Sequence, residues 1–133
     1  ECKMLLNRSG KNPLDSVNCI VSKNEFLEMQ SEVQNVFVSD DMARYIVSLI
    51  SATRKHPLLS RGASPRATLS LTDMAKAVAF AEGRDYIVPR DVQNIFICTV
   101  NHRIILNAKA SASKKNSEEI LHEILRKTPK PRT

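Results

Sequence analysis

One stretch of this sequence repeats apolar side chains with the period of an α-helix. Its core-facing positions fall three or four residues apart: Met42, Tyr45, Ile46, Leu49, Ile50 and Thr53. A helix with this spacing has one apolar face that other elements must cover. Ser39 or Asp40 is the predicted N-cap, and Pro57 ends the helix because proline cannot continue it. The stretch therefore predicts one wall of a packed helical core.

The remaining sequence also favours helices. Glycine accounts for only 3 of the 133 residues, and a chain of this length fits one domain with one core. Further helices are predicted from their start signals: the capping box of Ser22 and Glu25, Ser64 before Pro65, Pro89, and Ser117. We predict an all-α helical bundle of five to six helices with at most a short β pair.

The connections between these helices are predicted to be short. The long helix from Pro65 carries apolar residues on most sides, which is typical of a helix in the middle of a bundle. Short extended pieces are expected at 36–38 and 85–88, and a loop at 58–63. Residues 107–116 are rich in Ala, Ser and Lys and are predicted to be a mobile link. This pattern leaves no room for a sizeable sheet.

The formal net charge is +6, and most of the basic excess lies near the C-terminal end. Residues 107–133 carry seven Lys and Arg against three Asp and Glu. A basic end is usually a solvated surface, although it also fits an acidic partner. A DNA-binding domain would need an exposed recognition helix, for which Asn94, Asn101 and Arg103 are the best residues. Because they are sparse, nucleic-acid binding is the weaker reading, and a plain protein-interaction module is the other alternative.

The three cysteines are odd in number and far apart: Cys2, Cys19 and Cys98. This pattern fits reduced thiols in the cytoplasm better than a disulfide framework. Cys98 follows an apolar run at 95–97 on a predicted helix, so we expect a buried thiol rather than a nucleophile. We expect no signal peptide and no membrane span, because no apolar run approaches the roughly 20 residues that cross a bilayer.

Catalytic and metal-binding patterns are missing from the sequence. A phosphate-binding P-loop needs Gly, four residues and then Gly-Lys-Ser/Thr. Gly10-Lys11 is the only Gly-Lys pair, but Asn12 follows it and Leu5 stands in place of the first glycine. The histidines have no Cys or His at ligand spacing, which argues against a zinc site. We therefore expect no metal site and no catalysis by this chain alone.

The segment at 61–67 has the features of an anion-binding helix start. Gly62 permits a close backbone turn, Ser64 can cap the helix, and Pro65 fixes its first φ angle. Arg66 falls in the first turn, where a cation is unfavourable unless a negative group lies nearby. Free N–H groups and a guanidinium that converge in this way suit a phosphate. A capped helix with an exposed arginine explains the same residues equally well.

The run Gly62-Ala63-Ser64-Pro65-Arg66-Ala67 resembles the sensor-2 motif of MoxR-type AAA+ ATPases. The resemblance continues in order over residues 1–106 through further short motifs: Asn12-Pro13-Leu14, Tyr45-Ile46, Thr53-Arg54, Gly83-Arg84-Asp85-Tyr86-Ile87, Pro89, Asp91-Val92 and His102-Arg103. The last helix is similar to the C-terminal helix of the family. The sensor-2 run alone is moderately specific, and the combination at these spacings is strong.

The resemblance implies a lid domain from a longer ATPase. It divides the chain into the end of an AAA+ base domain at 1–10, a helical lid at 11–106, and a basic linker with a C-terminal helix at 107–133. Complete members carry Walker A and Walker B motifs on a nucleotide-binding base domain, and this chain has neither. The parent protein would bind ATP and Mg mainly through that base domain and hydrolyse ATP, whereas the isolated chain would be inactive.

The resemblance also implies roles for individual residues and partners. Arg66 would be the catalytic sensor-2 arginine that reaches the γ-phosphate of ATP, and Gly62, Ser64 and Pro65 would shape the cofactor-binding approach beside it. The lid would close on ATP and reopen after hydrolysis, which would drive chaperone-like remodelling or maturation of other proteins. Expected partners are the base domain, neighbouring subunits of a hexameric ring, and proteins with von Willebrand factor A domains.

Overall fold

The computed structural model describes residues 2–3 and 12–131, and the chain divides into two compact units at 1–30 and 31–133. The first unit contains the 3-10 helix Pro13–Ser16 and the start of helix α1 (Lys23–Asn35). Cys2 and Lys3 are helical, but the rest of the predicted base-domain end at 1–10 lies outside the described residues.

The capping box ahead of α1 is confirmed. The backbone N–H of Ser22 donates to Glu25 Oε2 at 2.7 Å, and that of Glu25 donates to Ser22 Oγ at 3.3 Å. Each side chain thus satisfies a backbone donor that the first turn of a helix leaves free. Along the first unit several large apolar side chains are exposed: Val17, Ile20, Val21, Phe26, Leu27 and Met29.

The second unit is mostly helical and contains one small antiparallel sheet of two strands. After the end of α1 its elements follow in this order: α2 (Asp40–Lys55), β1 (Leu59–Arg61), α3 (Pro65–Ala81), α4 (Pro89–Val100), the 3-10 helix Asn101–Arg103, β2 (Ile105–Leu106), α5 (Ala108–Ala112) and α6 (Ser117–Lys127). With α1, residues 12–131 form six α-helices and one short β pair, which confirms the predicted all-α bundle.

Helix α2 forms the wall of the core that its sequence predicts. All six predicted core positions are buried: Met42, Tyr45, Ile46, Leu49, Ile50 and Thr53. Ser39 is the N-cap, and its hydroxyl accepts a hydrogen bond from the N–H of Met42 at 3.3 Å. Burial of one Leu or Ile side chain stabilises a fold by about 1.5–3 kcal/mol. The fully buried Leu49 and Ile50 therefore anchor α2 firmly.

Helix α3 packs against both α2 and α4, so its predicted position in the middle of the bundle is confirmed. Its buried face is a stripe of mostly small residues: Ala67, Leu71, Ala75 and Ala79. The expectation of an apolar covering on most sides is only partly met, because Leu69 is 68% exposed and Met74 is 48% exposed. The helix therefore has an outer face that nothing in the described chain covers.

The extended pieces lie partly where they were predicted. Phe37 and Tyr86 form a parallel β-bridge, in which Phe37 N–H donates to the carbonyl of Asp85 at 2.7 Å. The predicted loop at 58–63 is wrong in part, because β1 lies there and pairs with β2. Strand pairing between segments more than 40 residues apart leaves no local pattern in so short a strand.

The stretch 107–116 is not the mobile link that its composition predicts. It contains α5, whose N-cap Asn107 accepts hydrogen bonds from the N–H groups of Lys109 and Ala110. Ala110 is fully buried, which holds this short helix on the core. The cap of α6 is Asn116 rather than Ser117, with Glu119 completing a capping box.

Candidate functional site

The loop into α3 presses against the C-terminal turn of α2. A Cβ atom added to Gly62 would lie 2.5 Å from the Cα and N atoms of Arg54 and 2.6 Å from the carbonyl carbon of Thr53. These neighbours are backbone atoms that cannot rotate away, so a larger residue would force the two segments apart. Glycine at 62 is therefore required by close approach of the loop to α2.

The next residue, Ala63, is held from both sides and is fully buried. Its N–H donates to Thr53 Oγ1 at 2.9 Å, and the Thr53 hydroxyl in turn donates to the carbonyl of Ile50 at 2.6 Å. Its carbonyl accepts a hydrogen bond from Arg54 Nη1 at 3.1 Å. Both polar groups of this buried peptide are thus satisfied by adjacent residues of α2.

The start of α3 leaves its anion-attracting end open. Ser64 is the N-cap and Pro65 the first helical residue, as predicted, but the Ser64 hydroxyl makes no capping hydrogen bond. The first turn contains no acidic residue. Arg66 is exposed, and within the described part of the chain its guanidinium has no hydrogen-bond or ion-pair partner. The positive end of the α3 dipole and the Arg66 guanidinium therefore both favour an anion near this helix start.

A second arginine joins this face of α3 from a distant part of the sequence. Arg103 Nη1 donates to Ser70 Oγ at 2.8 Å, and the Ser70 hydroxyl donates to the carbonyl of Arg66 at 3.3 Å. Arg103 Nε also donates to His102 Nε2 at 3.1 Å. These acceptors carry no negative charge, so the charge of Arg103 is not neutralised by them. Sequence reasoning missed this contact, because Ser70 and Arg103 are 33 residues apart.

An exposed helix N-terminus with an unneutralised guanidinium group, that of Arg66, fits a phosphate group chemically. Backbone N–H groups, the helix dipole and arginine donors are the features that bind phosphate in proteins. At this helix start Arg66 is the charged residue, and Gly62 and Ser64 lie just before it in the chain.

Two other motif residues instead form a structural ion pair. Arg84 Nη2 lies 2.6 Å from Asp91 Oδ1, and Arg84 Nη1 lies 2.9 Å from Asp91 Oδ2. Arg84 also binds Glu82 at 2.7 Å and the carbonyl of Tyr86 at 2.9 Å. Hydrogen bonds to Asp91 and Glu82 raise the pKa of Arg84 above its usual range. Because Asp91 is 1% exposed, this pair holds the fold rather than a ligand.

The residues considered for DNA binding do not form one free face. Asn94 is exposed, but Arg103 is bonded to Ser70, and Asn101 has a buried Oδ1 atom. Cys98 is exposed, so its predicted burial is wrong. The buried face of α4 is formed by Val92, Phe96, Thr99 and Val100, and position 98 lies outside it. This leaves few free donors on α4 for base edges.

Metal binding and membrane insertion are two further possibilities, and they concern here the described residues, 2–3 and 12–131. Within them, no group of three or more His, Cys, Asp or Glu side chains is arranged to hold a metal ion. No described helix is both long and apolar enough to cross a membrane.

The chain is similar to known proteins over most of its length. The AAA lid domain family matches residues 51–124. An uncharacterized protein of Bacillus subtilis, YeaC, is 34% identical over 94% of this chain and 39% of its own length. Chaperone MoxR1 of Mycobacterium tuberculosis is 30% identical over 98% of this chain and 37% of its own length. The chain thus spans about two-fifths of the length of these relatives.

A solved structure shows the same fold. The crystal structure of a "putative ATPase" from Cytophaga hutchinsonii superimposes with a TM-score of 0.85 and 35% identity, over 96% of this chain and 41% of that one. Protein MoxR of Methylorubrum extorquens is 41% identical over a shorter stretch, which covers 37% of this chain and 14% of its own length. The chain belongs to the AAA lid domain family and is the lid of a MoxR-type AAA+ protein.

Proposed function

We propose that this domain is the lid that closes on ATP in a MoxR-type ATPase, with Arg66 as the residue that contacts the γ-phosphate. The observation that carries the proposal is the exposed guanidinium of Arg66, which has no partner among the described residues, at a helix start without acidic residues. The resemblance of the Gly62–Arg66 run to a sensor-2 motif supports the same role.

ATP with Mg, bound on the base domain, would supply the negative γ-phosphate and the energy of its hydrolysis. Arg66 would donate charge-assisted hydrogen bonds to that phosphate and so draw the lid toward the base domain. One such bond stabilises a contact by about 1.5–3 kcal/mol, which shifts an equilibrium roughly ten- to hundredfold. A lid near balance between open and closed states would therefore respond strongly to loss of the phosphate.

The wider role of the parent protein follows from its relatives. One of them is named a chaperone. We propose that lid movement is coupled to chaperone-like remodelling or maturation of other proteins in the cytoplasm. Neighbouring subunits of a hexameric ring and proteins with von Willebrand factor A domains are the partners that we propose.

The experiment is steady-state ATP hydrolysis by the complete protein, with wild type beside Arg66→Ala. Turnover should fall roughly ten- to hundredfold, because one charged hydrogen bond in the closed state is lost. Arg90→Ala is the matched control, since Arg90 is also exposed and also follows a proline at a helix start. Circular dichroism should show the same helicity in all three proteins.

Normal turnover in Arg66→Ala would overturn the proposed mechanism. Arg66 would then be a solvated residue at the start of α3, and the domain would be a structural or interaction module. A loss of turnover in Arg90→Ala as large as in Arg66→Ala would also contradict the proposal, because the effect would not be specific to the α3 start.

A further inference from the structure

The C-terminal turn of α2 controls the path of the chain toward Arg66. Ala63 precedes Arg66 by three residues, and both polar groups of its backbone are bonded to α2. The Gly62 backbone leaves no space for a Cβ atom beside Arg54. The loop is thus fixed in position and direction just before α3 begins.

The start of α3 has no side-chain cap of its own, although Ala67 in its first turn is fully buried. The Ser64 side chain makes no cap, and Pro65 has no N–H to donate. A first turn without its own cap depends on neighbouring elements for its orientation. The direction in which Arg66 projects therefore depends on the two neighbours that are fixed beside it, Ala63 by its bonds to α2 and Ala67 by its burial.

Arg54 is suited to hold the loop before α3, both by its position in α2 and by its hydrogen bond to the Ala63 carbonyl. It lies at the C-terminal end of α2, where its charge is favourable to the helix dipole, and it remains exposed. Its guanidinium binds a carbonyl group, and no carboxylate is bonded to it in the part of the chain that the structure describes. Its contact with the loop is thus a charge-assisted hydrogen bond to a buried peptide.

We infer that Arg54 is a positioning residue for Arg66: it orients the start of α3 through the carbonyl of Ala63, so that the Arg66 guanidinium meets the γ-phosphate. This inference rests on the proposed function. It assigns to Arg54 no contact with nucleotide. Loss of Arg54 should then weaken the response to the γ-phosphate and leave binding of the rest of the nucleotide unchanged.

The test uses the complete protein and measures ATP turnover together with the affinities for ADP and for a non-hydrolysable ATP analogue. Arg54→Ala should lower turnover about tenfold, because small misplacements of a binding group are costly. Affinity for the ATP analogue should fall toward that for ADP. Lys55→Ala is the matched control: Lys55 is exposed in the same last turn but makes no hydrogen bond to residues 58–63.

The double variant separates positioning from general structural damage. If Arg54 acts through Arg66, Arg54→Ala should cause no further loss of turnover in an Arg66→Ala background. Arg54→Lys should recover part of the loss, since its ammonium group can still donate to the carbonyl. If Arg54→Ala reduces helicity, ATP turnover of Arg54→Lys is compared in the wild-type and Arg66→Ala backgrounds instead. A loss of turnover that appears only in the wild-type background would support positioning.

Three results would overturn the inference: normal turnover in Arg54→Ala, an undiminished further loss in the Arg66→Ala background, or equal losses of ADP and ATP-analogue affinity. These results are distinct from failure of the proposed function, which would appear as normal turnover in Arg66→Ala alone. If Arg66→Ala loses turnover and Arg54→Ala keeps normal turnover, only the positioning role of Arg54 is overturned.

Discussion

Two helices of the bundle begin with the same Pro-Arg pair, but their first turns differ in charge. Helix α4 begins at Pro89, and its first turn contains Asp91. The Asp91 carboxylate accepts the N–H of Val88 at 2.8 Å and binds Arg84 through both oxygens. The positive end of this helix thus already has an anion, and that anion is buried and paired.

Helix α3 begins at Pro65 without any such group. Its first turn has no acidic residue, and the hydroxyl of its N-cap Ser64 is not used for capping. A helix N-terminus attracts negative charge, worth about 0.3–1 kcal/mol at an exposed site. In α4 the protein supplies that charge itself, whereas in α3 any such charge would have to come from outside the first turn. Of the two similar helix starts, only the α3 start lacks an anion of its own.

The largest effect should come from removing the partner of the buried anion. Arg84→Ala leaves the Asp91 carboxylate buried without its cation, so the free energy of unfolding should fall by about 3–5 kcal/mol. Urea denaturation followed by circular dichroism measures this change. A loss below about 1 kcal/mol would mean that Asp91 does not need Arg84, and the contrast between the two starts would weaken.

The α3 start should depend instead on a hydroxyl group of α2. Thr53→Val removes the acceptor of the buried Ala63 N–H, so the unfolding free energy should fall by about 1–3 kcal/mol. Thr72→Val is the control, because the Thr72 hydroxyl bonds only to the carbonyl of Thr68 in its own helix. If the two variants lose equal unfolding free energy, the hydrogen bond between Thr53 and the loop does not stabilise the fold more than a bond within one helix.

An anion added to the α3 start should have opposite effects on stability and on nucleotide response. Ser64→Asp supplies a charged cap and should raise the unfolding free energy by about 0.5–1 kcal/mol. In the complete protein it should weaken binding of an ATP analogue, because the carboxylate opposes the phosphate. Ser64→Asn is the control, since it caps without charge. Unchanged analogue binding in Ser64→Asp would place the phosphate elsewhere.

The smallest effect is expected at the other Pro-Arg pair. Arg90 is exposed and has no partner among residues 12–131, so Arg90→Ala should change the unfolding free energy by less than about 0.5 kcal/mol. Thermal unfolding is sensitive enough to show this. A larger loss would reveal a role for Arg90 that the anion at Asp91 does not explain.

The features that could be predicted from the sequence are those set by neighbouring residues. The apolar period of α2, the capping box at Ser22 and Glu25, and the Pro65 start of α3 are all local patterns. The Gly62–Arg66 run was also visible in the sequence. Its two bonds to Thr53 and Arg54 were not, because they depend on how two segments pack.

The errors arose where tertiary packing decided the outcome. A segment of five residues is too short to form a stable helix alone, even when it is rich in alanine, but burial of Ala110 on the core holds 108–112 as a helix. Cys98 follows an apolar run but falls outside the buried face of α4. The Arg103 contact with Ser70 joins a 3-10 helix to α3, and no spacing rule links these positions.

The small-residue stripe of α3 has a mechanical consequence. Ala67, Ala75 and Ala79 are fully buried, and alanine has no side-chain rotamers to adjust. Close-packed interiors of this kind have low compressibility and transmit strain. A pull on the Arg66 end of the helix therefore cannot be absorbed by repacking along this stripe. If a ligand pulled on Arg66, the load would pass to α2 and α4, the helices that α3 packs against, and the three would move together.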